Sequence, residues 1–154
     1  MTFLDRESFE LAKFKKHEGE IFGIGISKSK ELCVTGGYND RTLILMDLRS
    51  LELVSKVVFK SHITDLDLSP DNQNVAVGFD NGDIKILEFK SLEEIKTIEV
   101  KTSISSLVYS NNGMMLATAG HNYLTIWAVP GFEELINMKE DIEKIWRINF
   151  SPTN

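Results

Sequence analysis

The 154-residue chain has one cysteine, three prolines and three histidines, and each scarcity removes a class of protein. Cys33 has no partner within the chain, so a disulfide framework is excluded. Its neighbours Leu32 and Val34 are apolar, which reads as a small buried filler and not as a reactive thiol. His17, His62 and His121 are too far apart to show the short ligand spacing of a zinc site. Hydrophobic runs are short as well: Leu43 to Met46 is among the longest, whereas a membrane-spanning helix needs roughly 20 apolar residues. The opening MTFLDRESFE carries acids where a secretory signal has a basic start and an apolar stretch. These features together lead to the expectation of a reducing compartment, most simply the cytoplasm, and of no membrane contact.

Positive charge is also thin. Seventeen Lys and Arg stand against 23 Asp and Glu, for a net charge of −6, and the bases are dispersed, with no run longer than Lys15-Lys16. A protein that grips phosphates needs a clustered basic surface, because counterion release drives that binding. Nucleic acid is therefore not expected as a partner.

The composition is otherwise that of a folded domain, 42% hydrophobic and 26% charged, and its dominant feature is repetition. The segments EIFGIGIS (20–27), HITDLDLS (62–69), SISSLVYS (103–110) and KIWRINFS (144–151) end in Ser27, Ser69, Ser110 and Ser151, spaced by 42, 41 and 41 residues. Three apolar columns keep register inside them: Ile21, Ile63, Ile104 and Ile145; Ile24, Leu66, Leu107 and Ile148; Ile26, Leu68, Tyr109 and Phe150. An alternation of period two is the signature of a strand with one buried face. Each serine is followed by a turn-rich stretch and a second strand (32–35, 75–78, 116–119). A Gly/Asn/Asp-rich hairpin then leads to a third strand (43–48, 84–89, 124–129). A more polar fourth strand is expected to be anchored by Leu11, Leu53, Ile95 and Leu135. Four short strands in about 41 residues, with no helical period between them, is the pattern of a propeller blade. The expected fold is all-β: a partial β-propeller of three complete four-stranded antiparallel blades plus part of a fourth. Residues 1–8 are read as a tail or the end of a preceding element, and the units as about 9–50, 51–91, 92–132 and an incomplete 133–154. Open blade faces need neighbours, so the remaining blades of a longer chain are expected.

These residues resemble the WD40-repeat family from about Phe9 onward. Ser69-Pro70-Asp71 and Ser151-Pro152 match the family's post-strand turn. His17 lies ten residues before Ser27, where the family's histidine falls, and Asp40 lies six before Met46, where its hairpin aspartate falls. Trp127 stands at the closing-tryptophan position, followed by Ala128. The resemblance implies that His17, Thr35, Asp40 and Trp127 have structural roles in a buried hydrogen-bonded network. It also marks the repeats as degenerate, because Met46 lacks an indole donor and the second and third blades lack a matching histidine.

No motif for catalysis is present. No serine sits in a nucleophile elbow, Asp80-Asn81-Gly82-Asp83 lacks the further ligands of a calcium loop, and Gly23-Ile24-Gly25 is followed by no helix. No catalytic residue, cofactor or metal is expected; the glycines are read as leaving room at the crowded inner strands. What the resemblance implies instead is a non-catalytic protein-protein interaction scaffold in a cytoplasmic multiprotein assembly, with a cytoskeletal or ciliary setting favoured. Its alternatives are a nuclear chromatin or RNA-processing adaptor and a fragment of a propeller enzyme. Family members bind partners on the rim around the channel, and aromatic and Arg residues are typical hot spots. The candidate contacts are Trp146, Arg147, Phe79, Tyr38, Phe22 and Tyr123, against the competing reading that Trp146 and Phe79 pack between blades.

Overall fold

The computed structural model describes residues 2–4, 11–13, 17–138 and 144–152. Three antiparallel sheets of four strands follow one another along the chain. The first contains β3 (Ile21–Ile26), β4 (Leu32–Gly37), β5 (Thr42–Asp47) and β6 (Leu53–Val58). The second contains β7 (Ile63–Leu68), β8 (Asn74–Phe79), β9 (Asp83–Glu88) and β10 (Glu94–Glu99). The third contains β11 (Ile104–Tyr109), β12 (Met115–Gly120), β13 (Tyr123–Ala128) and β14 (Glu134–Met138). Each strand pairs only with its sequence neighbours, as short hairpin connections dictate. Before them, β1 (Thr2–Leu4) pairs antiparallel with β2 (Leu11–Lys13). The rest of the expected outer strand at 9–15, and of the expected tail at 1–8, lies outside the described residues.

The serine that ends each repeat motif acts in the turn that follows. Leu32, Asn74 and Met115 each donate a backbone N–H to the hydroxyl of the serine five residues earlier, Ser27, Ser69 or Ser110, at 2.9–3.1 Å. All three serines are buried, so the side chain supplies an acceptor that water cannot.

Blades are held together by apolar packing across their seams. Val34, Leu43 and Leu45 of the first blade pack with Ile63, Leu66, Val77, Phe79 and Phe89 of the second. Ala76, Ile84 and Ile86, on the second blade's opposite face, pack with Ile104, Leu107, Leu116 and Trp127 of the third. Buried on both faces, the middle strands β4 and β8 have runs of buried residues where an exposed sheet would alternate. Close approach needs small residues: a Cβ on Gly23 would lie 2.5 Å from Leu66 Cγ and 2.9 Å from the Leu66 nitrogen. The room expected at Gly23 is thus taken by the next blade.

Aspartates clip the inner strands. Asp65 accepts Leu66 N–H on one oxygen and Leu107 N–H, from the next blade, on the other, both at 3.0 Å. Asp67 does the same with Leu68 at 3.0 Å and Tyr109 at 2.7 Å. Two acceptor oxygens serve two donors, which an amide side chain cannot do. Burial pushes both carboxyls up, while those backbone bonds and the charge of Arg147 pull against the rise.

The outer strands depart from expectation. Leu53, Ile95 and Leu135 are 44%, 59% and 57% exposed and anchor nothing. The anchoring of the second and third falls instead to the turn before the strand, where Leu92 and Phe132, like Leu51 before the first, hold φ near +60°. Leu92 is buried in the first seam, and Phe132 packs against the second. A left-handed Leu or Phe costs about 1–2 kcal/mol, which burial of the side chain offsets.

Candidate functional site

The first strand of each blade carries a bulge at the same point. Register shifts between Ile21 and Gly23, between Ile63 and Asp65, and between Ile104 and Ser106 leave Phe22, Thr64 and Ser105 outside the ladder. A bulge bends the strand and re-aims its extra side chain. Phe22 is thereby 48% exposed. Trp146 stands at the corresponding position of segment 144–152 and is 74% exposed, with Lys144 Nζ 4.0 Å from its ring centroid. That segment forms no strand ladder but lies along the third blade: Ile145 N–H donates to Gly120 O at 3.2 Å, and Ser105 Oγ–H donates to Ile145 O. Arg147 is exposed, and its charge lessens the rise that burial imposes on the Asp65 and Asp67 carboxyls.

Beside Phe22 an aromatic row crosses the seam between the first two blades. The rings of Phe22 and Tyr38 are 5.0 Å apart and tilted by 44°. Tyr38 stacks on His62 at 4.7 Å and 23°. His62 Nδ1–H donates to Tyr38 O at 2.8 Å, and His62 N–H donates to Asp80 Oδ1 at 3.0 Å. Sequence spacing says of His62 only that it is no zinc ligand; its place between two hairpin ends, distant in sequence, brings it to the row.

Two of the six expected contact residues are corrected. Phe79 is 1% exposed and meets Phe59 edge-on at 4.9 Å within the first seam. Tyr123 is 3% exposed, and its OH lies 2.6 Å from Thr118 Oγ1, which also accepts the Trp127 indole N–H at 2.9 Å. Both lie on or beside hairpins, where exposure is the ordinary expectation, but seam packing and a buried hydroxyl network draw them in. Tyr38 is half-buried and keeps a ring face at the surface row.

His17, Thr35 and Asp40 form a second network, in the first blade. His17 Nδ1–H donates to Asp40 Oδ2 at 3.0 Å, Nε2 lies 2.8 Å from Thr35 Oγ1, and Thr42 Oγ1 lies 2.9 Å from Nδ1. A Cβ on Gly37 would collide with both the carboxylate and the ring. Burial pushes Asp40 up, but bonds from Glu18 N–H, Thr42 and His17 together hold its carboxyl below the usual range. Hydroxyl, imidazole and carboxylate in a row are also the order of a nucleophilic triad. Thr35, however, is 1% exposed and His17 7% exposed, so no substrate reaches the hydroxyl. The third blade has a different solution, Thr118 with Tyr123 and Trp127. Its sequence signal is Thr118 eight residues after Ser110, as Thr35 is eight after Ser27, while Val77 fills that place in the second blade.

Other candidates are chemically quiet. A crevice of about 360 Å³ beside Val58, Phe59, Asn81 and Lys85 has polar walls already paired, Asn81 with Asp83 at 2.8 Å and Lys85 with Glu94 at 2.6 Å. Burial pushes the Cys33 thiol up to about 11. Among the described residues no group of three or more His, Cys, Asp or Glu is placed to hold a metal ion, and no helix is long and apolar enough to cross a membrane.

Known proteins are similar to this chain over most of its length. Residues 37–112 match the family model of the anaphase-promoting complex subunit 4 WD40 domain. The chain is similar to transcription factor unc-37 of Caenorhabditis elegans, with 25% identity over 81% of this chain and 20% of that protein. Similarity to ribosome biogenesis protein ERB1 of Debaryomyces hansenii is 33% identity over 65% of this chain and 14% of that protein. For protein NEDD1 of Bos taurus it is 31% over 69% and 16%. The chain therefore matches a fifth or less of the length of these curated relatives. Among solved structures, that of U3-55K superposes with a TM-score of 0.80 at 15% identity, over 86% of this chain and 43% of that one, a likeness of fold.

Proposed function

We propose, from the premise that this chain belongs to the WD40-repeat β-propeller family, that it is a non-catalytic scaffold segment whose inner-strand rim binds other proteins. The observation that carries this reading is the pair of large side chains held outward at equivalent inner-strand positions, Phe22 at the bulge of β3 and Trp146 in segment 144–152. Trp146 and Phe22 are large apolar groups held at the surface, 74% and 48% exposed, with Tyr38 and Arg147 beside them. Aromatic and Arg groups of this kind dominate binding energies, because they remove much apolar area from water while making few rotameric sacrifices. The buried polar networks of the first and third blades leave their hydroxyl and imidazole groups to hold hairpins together. On this reading they do no chemistry.

The assembly is proposed to be cytoplasmic, with a cytoskeletal or ciliary setting. A second reading, a nuclear adaptor, is favoured by two of the relatives, one a transcription factor and one a ribosome biogenesis protein. Affinity purification of the protein from its own cells, followed by quantitative mass spectrometry, tests the rim directly. Trp146→Ala is expected to reduce recovery of the principal co-purifying protein at least tenfold, a loss of the size typical of an interface hot spot, with an unchanged circular dichroism melt. Unchanged recovery of every co-purifying protein from a Trp146→Ala, Phe22→Ala double variant would remove the reading.

A further inference from the structure

The aromatic row across the first seam has a chemistry more specific than apolar contact. Its three rings present π faces, the negative side of an aromatic quadrupole. His62 adds an acceptor: a carbonyl cannot donate, so the bond to Tyr38 O places the proton on Nδ1, and in the neutral ring Nε2 is left as a lone pair. Acidic residues flank the row. Glu20 is exposed, and its carbonyl receives Tyr38 N–H at 2.9 Å. Asp80 exchanges backbone and side-chain bonds with His62, and Glu18, two residues before Glu20, is exposed. Arg41, three residues after Tyr38, has its guanidinium donating to Lys60 O at 3.1 Å. The row therefore offers ring faces, a lone pair and acids to whatever meets it.

We propose that the Phe22–Tyr38–His62 row, with Glu20 and Asp80, is the seat for an arginine side chain of a partner protein. This rests on the reading that the rim binds proteins and adds the chemistry of the partner. A guanidinium is planar, so it stacks on Tyr38 or Phe22. Its five N–H groups reach in the ring plane toward Nε2 and the carboxylates. An ammonium meets one ring as a point charge and fills this geometry less completely. An acidic segment is repelled by Glu18, Glu20 and Asp80, and a purely aliphatic one leaves the acceptors unpaired. The charge complementarity extends to the whole molecule, which carries −6.

The test is a titration of the isotope-labelled chain, followed by nuclear magnetic resonance on the rings of Phe22, Tyr38 and His62. The probe is the capped peptide Gly-Arg-Gly-Arg-Gly, compared with the same peptide carrying citrulline or glutamate in place of arginine. Citrulline has nearly the shape of arginine without its charge. Saturable shifts centred on the three rings are expected for the arginine peptide, with roughly threefold to tenfold weaker binding for citrulline and no binding for glutamate. Tyr38→Leu, which keeps bulk and removes the ring, should abolish the shifts; Leu135→Ala, on the exposed outer strand of the third blade, should leave them. Equal response to arginine and citrulline, shifts that survive Tyr38→Leu and His62→Ala alike, or no saturable shift would overturn the proposal. If the arginine probe fails while Trp146→Ala still loses a partner in cells, only the partner chemistry is wrong. If both fail, the rim reading falls as well.

Discussion

At the residue scale the first blade depends on one buried imidazole and the carboxylate that orients it. Asp40 accepts bonds from His17, Thr42 and Glu18 N–H, so replacing it by asparagine puts an amide N–H against donors. Asp40→Asn is expected to cost about 1–3 kcal/mol at neutral pH, the range for stranding buried polar partners. The pH dependence has a definite sign. The folded carboxyl lies below its ordinary value, so its contribution is complete above the unfolded value of about 3.9. That contribution is lost as pH falls through the folded value. Thermal unfolding of both proteins across this range should show a gap that is constant near neutrality and closes in acid; a gap that widened in acid would contradict the assignment. His17 and Asp40 were legible in the sequence from their distances to Ser27 and Met46. Tyr123 was not, because a tyrosine beside a hairpin carries no local sign that a hydroxyl from β12 will reach its OH.

Blades and seams are the next scale, and here the sequence was most transparent. The serine column at 27, 69 and 110 marks the start of every first turn, and the apolar columns fix which face of β7 and β11 meets the neighbouring blade. The outer strands were opaque for a physical reason. Packed on one side only, they need few buried residues, and the burial passes to left-handed turn residues such as Leu92, which no alternation reveals. Phe79 illustrates the consequence at a seam. It lies 1% exposed between Phe59 and the second blade's own core, so Phe79→Ala should cost about 3–5 kcal/mol and lower the melting temperature. Partner recovery measured below the variant's own melting transition should be unchanged. A Phe79→Ala protein that melted normally but lost its partner would restore Phe79 to the rim.

On the scale of the whole molecule, the inner strands set both what is bound and what is left uncovered. Ile24 and Ile26 of β3 are each 51% exposed, although Leu66 and Leu107, the counterparts of Ile24, and Tyr109, a counterpart of Ile26, are buried in the later blades. The apolar columns continue onto this face, and contiguous apolar area of this kind promotes association. The chain on its own should therefore scatter light as a species larger than 17.4 kDa, and Ile24→Lys with Ile26→Lys should shift it toward the monomer mass. A monodisperse monomer from the unsubstituted chain would contradict that expectation.

The central claim, that contact with other proteins is made at the inner-strand rim, is tested most directly by where partners touch. A photo-crosslinking amino acid placed singly at Phe22, Tyr38 or Trp146 samples the rim; the same group at Val54, Ile95 or Leu135 samples the outer flank, which is equally exposed and apolar. The account predicts discrete protein adducts from the rim positions in living cells and only background from the flank. Adducts confined to the flank, with none from the rim, would contradict it.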